Sequence, residues 1–183
     1  MPRTETYIGF LRGINVGGKN KLPMKELAAM MIDAAYTDVS TYIQSGNVVF
    51  RAKAGPNQSL QRQISNAIEK RFGFACPVVV RSAEELAATV RNNPFHKKGS
   101  NENELHVMFL ADEPTSEALS KLDPQRSPGD EFLVRGKDIY LRLPNGVARS
   151  KLTNAYFDSK LNTTSTARNW RTILTLLEIA IRQ

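Results

Sequence analysis

The sequence predicts an α+β fold: a ferredoxin-like βαββαβ unit, followed by a second, degenerate ferredoxin-like unit that ends in a helix. Three observations carry the prediction. Short β-prone runs alternate with stretches whose apolar residues recur every three or four positions. Two of those runs are joined by Ser45-Gly46-Asn47, residues that favour a hairpin. The first six elements then come in the order β-α-β-β-α-β, in which two helices cover one face of an antiparallel sheet.

The first strand is read over Tyr7 to Arg12, with Tyr7, Gly9 and Leu11 on one face and Ile8, Phe10 and Arg12 on the other. Pro23 fits the first turn of the next helix, where a missing N–H costs nothing. Met24, Leu27, Ala28 and Met31 form its core-facing stripe. Asp38 to Gln44 and Val48 to Arg51 make the hairpin. A second helix places Leu60, Ile64, Ile68 and Phe72 at a spacing of four and stops at Gly73. Pro77 to Arg81 is the fourth strand.

Ser82 and Glu85 form a capping box that opens a third helix, with Leu86 and Val90 inward. Leu105 to Ala111 is a strand and Ser116 to Leu122 a short helix. Glu131 to Arg135 and Asp138 to Leu143 pair across Gly136-Lys137 as a second hairpin. Two helices are predicted at the end, over Lys151 to Leu161 and over Ala167 to Arg182, separated by a polar cap region at Asn162 to Thr166. A boundary near Ser82 divides the chain into residues 1–82, ferredoxin-like, and 83–183, a second α+β subdomain. The C-terminal helical segment of the latter is expected to pack back on the first subdomain.

Composition narrows the function classes. The chain has 25 Lys and Arg against 18 Asp and Glu, a formal charge of +7, which favours anionic partners such as nucleotides or nucleic acid. Cys76 is the one cysteine, so an intramolecular disulfide and a cysteine-rich zinc site are excluded. His96 and His106 lack metal-ligand spacing, so no metal is expected, and no cofactor is implied. The longest apolar stretch is broken by Thr175 and Glu178, which speaks against a membrane span and for a soluble cytoplasmic protein, monomeric or weakly dimeric.

The candidate site starts at Gly9 to Asn20, where a buried strand runs into a glycine-rich loop. Residues Gly13 to Asn20 fit the phosphate-loop pattern G-x-x-x-x-G-K-[ST] except at Asn20, which lacks the magnesium-binding hydroxyl. Val107 to Asp112 would supply a strand ending in an acid as its partner. Leu22-Pro23 delays the helix, however, and the surrounding pattern is antiparallel, both of which argue against a nucleoside triphosphatase. The plain alternative is a tight surface connection with solvated lysines.

Cations near two predicted helix starts add weight to an anion site, because a helix prefers acids there: the run Arg149-Ser150-Lys151 leads into one, and Arg168 lies at the start of the last. The expectation is that Arg12, Lys19, Lys151 and Arg168 converge on one phosphate-like group. Asn15, Asn20, Asn47 and Asn169 would add neutral hydrogen bonds and Gly17 and Gly18 bare backbone, with Asn154 and Trp170 completing the expected ligand-binding set.

Four segments resemble a bacterial family catalogued as domain of unknown function 1697. They are Leu11-Arg12-Gly13-Ile14-Asn15-Val16-Gly17-Gly18-Lys19-Asn20, Thr41 to Phe50 (Thr-Tyr-Ile-Gln-Ser-Gly-Asn-Val-Val-Phe), and Ala148 to Asn154 together with Thr166 to Trp170. The resemblance implies a ferredoxin-like α+β architecture and assigns no catalytic residue.

Three function classes follow from the residues. The first is a module that binds a phosphate-bearing small molecule or nucleotide. The second is a nucleic-acid-binding module that stacks bases on Phe10, Tyr42 and Phe50, although the third strand lacks the aromatic-rich signature of RNA-recognition sheets. The third is an enzyme acting on a phosphorylated substrate, against which stands the lack of a histidine partner for Ser45 or Ser150.

Overall fold

Strand alternation in the opening segment puts Tyr7 and Leu11 on one face, and that face carries the core of the first half of the chain. The computed structural model describes residues 3–183. Within them are β1 (Thr4–Leu11), α1 (Met24–Asp33), β2 (Thr37–Tyr42), β3 (Asn47–Lys53), α2 (Asn57–Phe72), β4 (Val78–Ser82) and α3 (Ala83–Arg91). Then come β5 (Leu105–Leu110), α4 (Ser116–Leu119), β6 (Glu131–Arg135), β7 (Asp138–Arg142), α5 (Asn154–Leu161), β8 (Ser165–Asn169) and α6 (Trp170–Arg182). The fold is α+β, with two four-stranded antiparallel sheets and six α-helices among the described residues.

The chain divides into two compact units, one holding the residues up to Ala88 with Thr175–Gln183, the other Thr89–Leu174. In the first, the strand order is β2-β3-β1-β4, with Tyr7 opposite Phe50 and Gly9 opposite both Val48 and Val80. Tyr7, Leu11, Val48, Phe50 and Val80 share one face and pack against Leu27 and Met31 of α1 and Leu60, Ile64 and Ile68 of α2. Each of these fully buried aliphatic side chains stabilises the unit by roughly 1.5–3 kcal/mol through removal from water. The Phe50 ring is stacked on Tyr7 at 6.0 Å and met edge-on by Tyr36 at 5.0 Å. Gly73 ends α2 in the left-handed region at φ 78°, and its N–H donates to the Glu69 carbonyl. Gln183 Nε2 donates to the Asp38 carbonyl at 2.7 Å and fastens the chain end to β2.

The second unit repeats the order of elements, and its sheet runs β6-β7-β5-β8. Met108 and Leu110 of β5, Ile139 and Leu141 of β7, and Phe157 and Leu161 of α5 form its core. Thr115 and Thr153 cap α4 and α5, their hydroxyls accepting the N–H groups of Ala118 and Tyr156.

Several boundaries differ from expectation: β1 spans Thr4–Leu11 rather than Tyr7 to Arg12, β2 ends at Tyr42 rather than Gln44, α4 ends at Leu119 rather than Leu122, and the largest differences lie near the end of the chain. The segment Ser165–Asn169 is a strand rather than a cap region running into a helix, α6 starts at Trp170 rather than Ala167, and α5 starts at Asn154 rather than Lys151. The physical reason is that β5 offers an open edge: Ala167 pairs with Met108 and Arg168 with Val107, so these residues satisfy their backbone in a ladder. Arg168 is therefore a strand residue, not a cation in the first turn of a helix.

Candidate functional site

The loop after β1 is a miniature hairpin. Gly17 and Gly18 lie at φ 57° and 75°, the two positive values that a two-residue type I′ turn requires, and Val16 bridges Lys19 across them. The Lys19 N–H donates to the Val16 carbonyl and the Asn15 N–H to the Asn20 carbonyl, both at 3.1 Å. Gly13, Asn15 and Asn20 are also left-handed, at 73°, 54° and 49°. Glycine and asparagine are the residues that adopt this conformation at least cost, which is why the segment is built from them.

Asparagine amides tie the hairpin down. Asn15 Nδ2 donates to the carbonyls of Leu22 and Gln44, each at 2.9 Å, while its Oδ1 accepts the Leu22 N–H at 2.8 Å. Asn20 Nδ2 donates to the Gly13 carbonyl at 3.0 Å. Asn47, 0% exposed, donates to the Tyr42 carbonyl and to Ser45 Oγ. The Leu11 N–H donates to the Gly46 carbonyl at 2.8 Å, so the hairpin and the β2–β3 turn are held at the same end of the sheet. Arg12 is half-buried there, with its N–H on the Pro77 carbonyl.

The face so built is basic and partly apolar. Lys19 and Lys21 are exposed, and neither has a carboxylate partner among the described residues. Val16 and Ile43 are 69% and 49% exposed. The N–H groups of Gly17 and Gly18 have no acceptor among the described residues, and a Cβ added at either glycine would meet nothing within 4 Å. The geometry departs from a nucleotide-triphosphate loop: α1 starts at Met24, beyond Asn20, so Lys19 sits in a hairpin and not at a helix start.

The remaining candidates lie in the second unit. Lys151 is exposed, and its N–H donates to Ser127 Oγ at 3.0 Å. Asn154 opens α5 and donates to Ser165 Oγ, which donates in turn to Asp158 Oδ1 at 2.6 Å, so the start of α5 is fastened to β8. Arg168 is 9% exposed, with Nη1 donating to Thr166 Oγ1 and the Ala167 carbonyl. Asn169 caps α6, its Oδ1 accepting the Thr172 N–H at 2.8 Å. Trp170 is fully buried, with its ring 5.1 Å from His96. Arg12 and Lys19 thus belong to the first unit, and Lys151 and Arg168 to the second.

The family described as Protein of unknown function (DUF1697) matches residues 4–140, well over half of the chain. The chain belongs to this family. The match takes in the hairpin and the β2–β3 turn of this DUF1697 protein, while the segments at Ala148 to Asn154 and Thr166 to Trp170 lie beyond it. A solved structure, that of the conserved bacterial protein SP0830 from Streptococcus pneumoniae, is similar to the chain with a TM-score of 0.70. The likeness covers 97% of this chain and 99% of that one at 19% sequence identity, and it speaks for the fold alone. No curated protein matches the chain. No described helix is long and apolar enough to cross a membrane.

Two features of the site were missed in the sequence. Val16-Gly17-Gly18-Lys19 is itself a hairpin signal, two glycines between β-compatible residues, hidden by its overlap with the phosphate-loop pattern. Exposure of Val16 and Ile43 had no signal, because an apolar residue in a short loop, or in what reads as a strand, reads as core.

Proposed function

We propose that the protein binds a phosphate-bearing small molecule or nucleotide, and that the first unit's basic hairpin holds the anion. The observation that carries this reading is Lys19, exposed and without a carboxylate partner among the described residues, on a turn whose asparagine amides and strand-pairing N–H groups are engaged within the loop and with Gln44. Lys19 supplies the charge, the Gly17 and Gly18 N–H groups donate to phosphate oxygens, and Lys21 and Arg12 add to the local positive potential. Asn15, Asn20 and Asn47 hold the frame. In the second unit, Lys151 is the contact we assign to the same class of anion, with Asn154, Arg168, Asn169 and Trp170 shaping its surroundings.

The reading rests on a ferredoxin-like interpretation of both units, supported by the β2-β3-β1-β4 and β6-β7-β5-β8 strand orders. A cytoplasmic protein is the setting we infer, supported by a single cysteine that is buried. Base stacking on the sheet is disfavoured because Phe10 and Phe50 are fully buried. An enzymatic role has no more support: Ser150 Oγ is occupied in accepting the Leu152 N–H.

A thermal-shift screen with pyrophosphate, AMP, glucose 6-phosphate and a short oligonucleotide at two salt concentrations tests the proposal. At a hundred times Kd a ligand adds about 2.7 kcal/mol of stability. The expected result is a shift with at least one small phosphate compound that Lys19→Ala removes. A shift with the oligonucleotide alone, falling steeply with salt, would transfer the protein to the nucleic-acid class.

A further inference from the structure

In the second unit His106 shares a face of β5 with Met108 and Leu110, opposite Leu141 on β7. His106, Met108, Leu141, Leu152, Asn154 and Ala167 line a cavity of about 160 Å³. Ala167 stands opposite Met108, where a larger side chain would fill part of that space. The lining is apolar apart from the imidazole and the few polar groups at the start of α5. His106 Nδ1 lies 3.3 Å from the Glu104 carbonyl oxygen, which can only accept, so Nδ1 carries the proton and Nε2 the lone pair. Burial holds the imidazole below its usual pKa, which keeps the ring neutral. Nε2 has no hydrogen-bond partner among the described residues.

We propose that this cavity is a binding site for a small, mostly apolar molecule with one hydrogen-bond donor, received by His106 Nε2. Its volume is close to that of an engineered apolar cavity in another protein, about 150 Å³, which admits benzene, although this one opens to solvent beside Val147. A ligand the size of phenol therefore fits. The hydroxyl adds one neutral hydrogen bond over the bare ring, worth about a three- to tenfold gain in affinity. The site is independent of the hairpin and takes the opposite class of ligand.

Phenol and toluene are the probes, with the full chain observed by thermal shift and by the ¹⁵N signals of the His106 ring. Phenol is expected to raise Tm more than toluene and to move the Nε2 resonance. His106→Leu should equalise the two probes, and Ala167→Leu should remove the response to both. An Nε2 signal unmoved at saturating phenol, or a preference for phenol retained in His106→Leu, would overturn the proposal. Should Ala167→Leu fail to fold, the ring signals of the native protein decide.

Discussion

Gly46→Ala places a methyl group where the hairpin and the β2–β3 turn are packed together. Gly46 has φ 84°, and a Cβ built there would lie 2.8 Å from both Leu11 Cβ and Ile14 Cδ1. Holding alanine in the left-handed region costs about 1–2 kcal/mol. Ile14 can rotate its terminal methyl away, but Leu11 Cβ is fixed to the central strand, so overpacking adds about 1–3 kcal/mol. Together the loss is about 2–5 kcal/mol, a large share of the roughly 5–15 kcal/mol that holds an ordinary domain folded. Gly17→Ala is the control. Its φ is 57° and nothing lies within 4 Å of the added Cβ, so the conformational cost alone remains. Urea unfolding followed by circular dichroism compares the two midpoints at unchanged m. Equal losses for the two substitutions would refute a hairpin wedged on the turn, because the packing contribution would then be missing.

Other perturbations read other parts of the structure. Asn15→Ala removes the amide that joins Leu22 and Gln44, leaving partly buried groups unpaired, and should lower stability by about 1–3 kcal/mol in the same urea assay. The depressed pKa of His106 means that the unfolded chain takes up its proton first as pH falls. Its contribution to stability is therefore present above about pH 6.5, the unfolded value, and is lost as pH falls through the lower folded value. Urea midpoints at pH 7 and pH 5 should converge in His106→Leu relative to the native chain, and an unchanged gap would show that burial of this ring carries no linkage. Lys19→Ala should leave the unfolding free energy from the same urea assay within about 0.5 kcal/mol of native, as for other exposed side chains without partners.

The sequence made α2 legible because every rule agreed over one stretch: apolar residues at a spacing of four, an extended approach through Pro56, and a left-handed glycine at its end. Ser82 and Glu85 were equally plain. The Ser82 N–H donates to Glu85 Oε2 at 2.7 Å and the Glu85 N–H to Ser82 Oγ at 3.1 Å, the reciprocal pair of a capping box. β8 was invisible for the opposite reason. Ser-Thr-Ala-Arg-Asn carries no apolar alternation, and its buried Ser165, Thr166 and Arg168 are kept inside by local hydrogen bonds that composition does not reveal. That one missing strand moved the α6 start by three residues and turned a strand arginine into a supposed helix-start cation. In the candidate site the residue types were legible as turn formers, since only glycine and asparagine suit so many left-handed positions. Which polar groups they satisfy was not, because Asn15 reaches Gln44 across 29 positions of sequence.

The central claim is that Lys19 on the hairpin holds a phosphate group. Isothermal titration of pyrophosphate into the native protein and into Lys19→Ala, at low and moderate salt, tests it most directly. The account predicts measurable binding to the native chain and at least a tenfold loss in the variant, the size expected when a hydrogen bond to a charged group is removed. Equal affinity in the two proteins, or no heat with either, would contradict it.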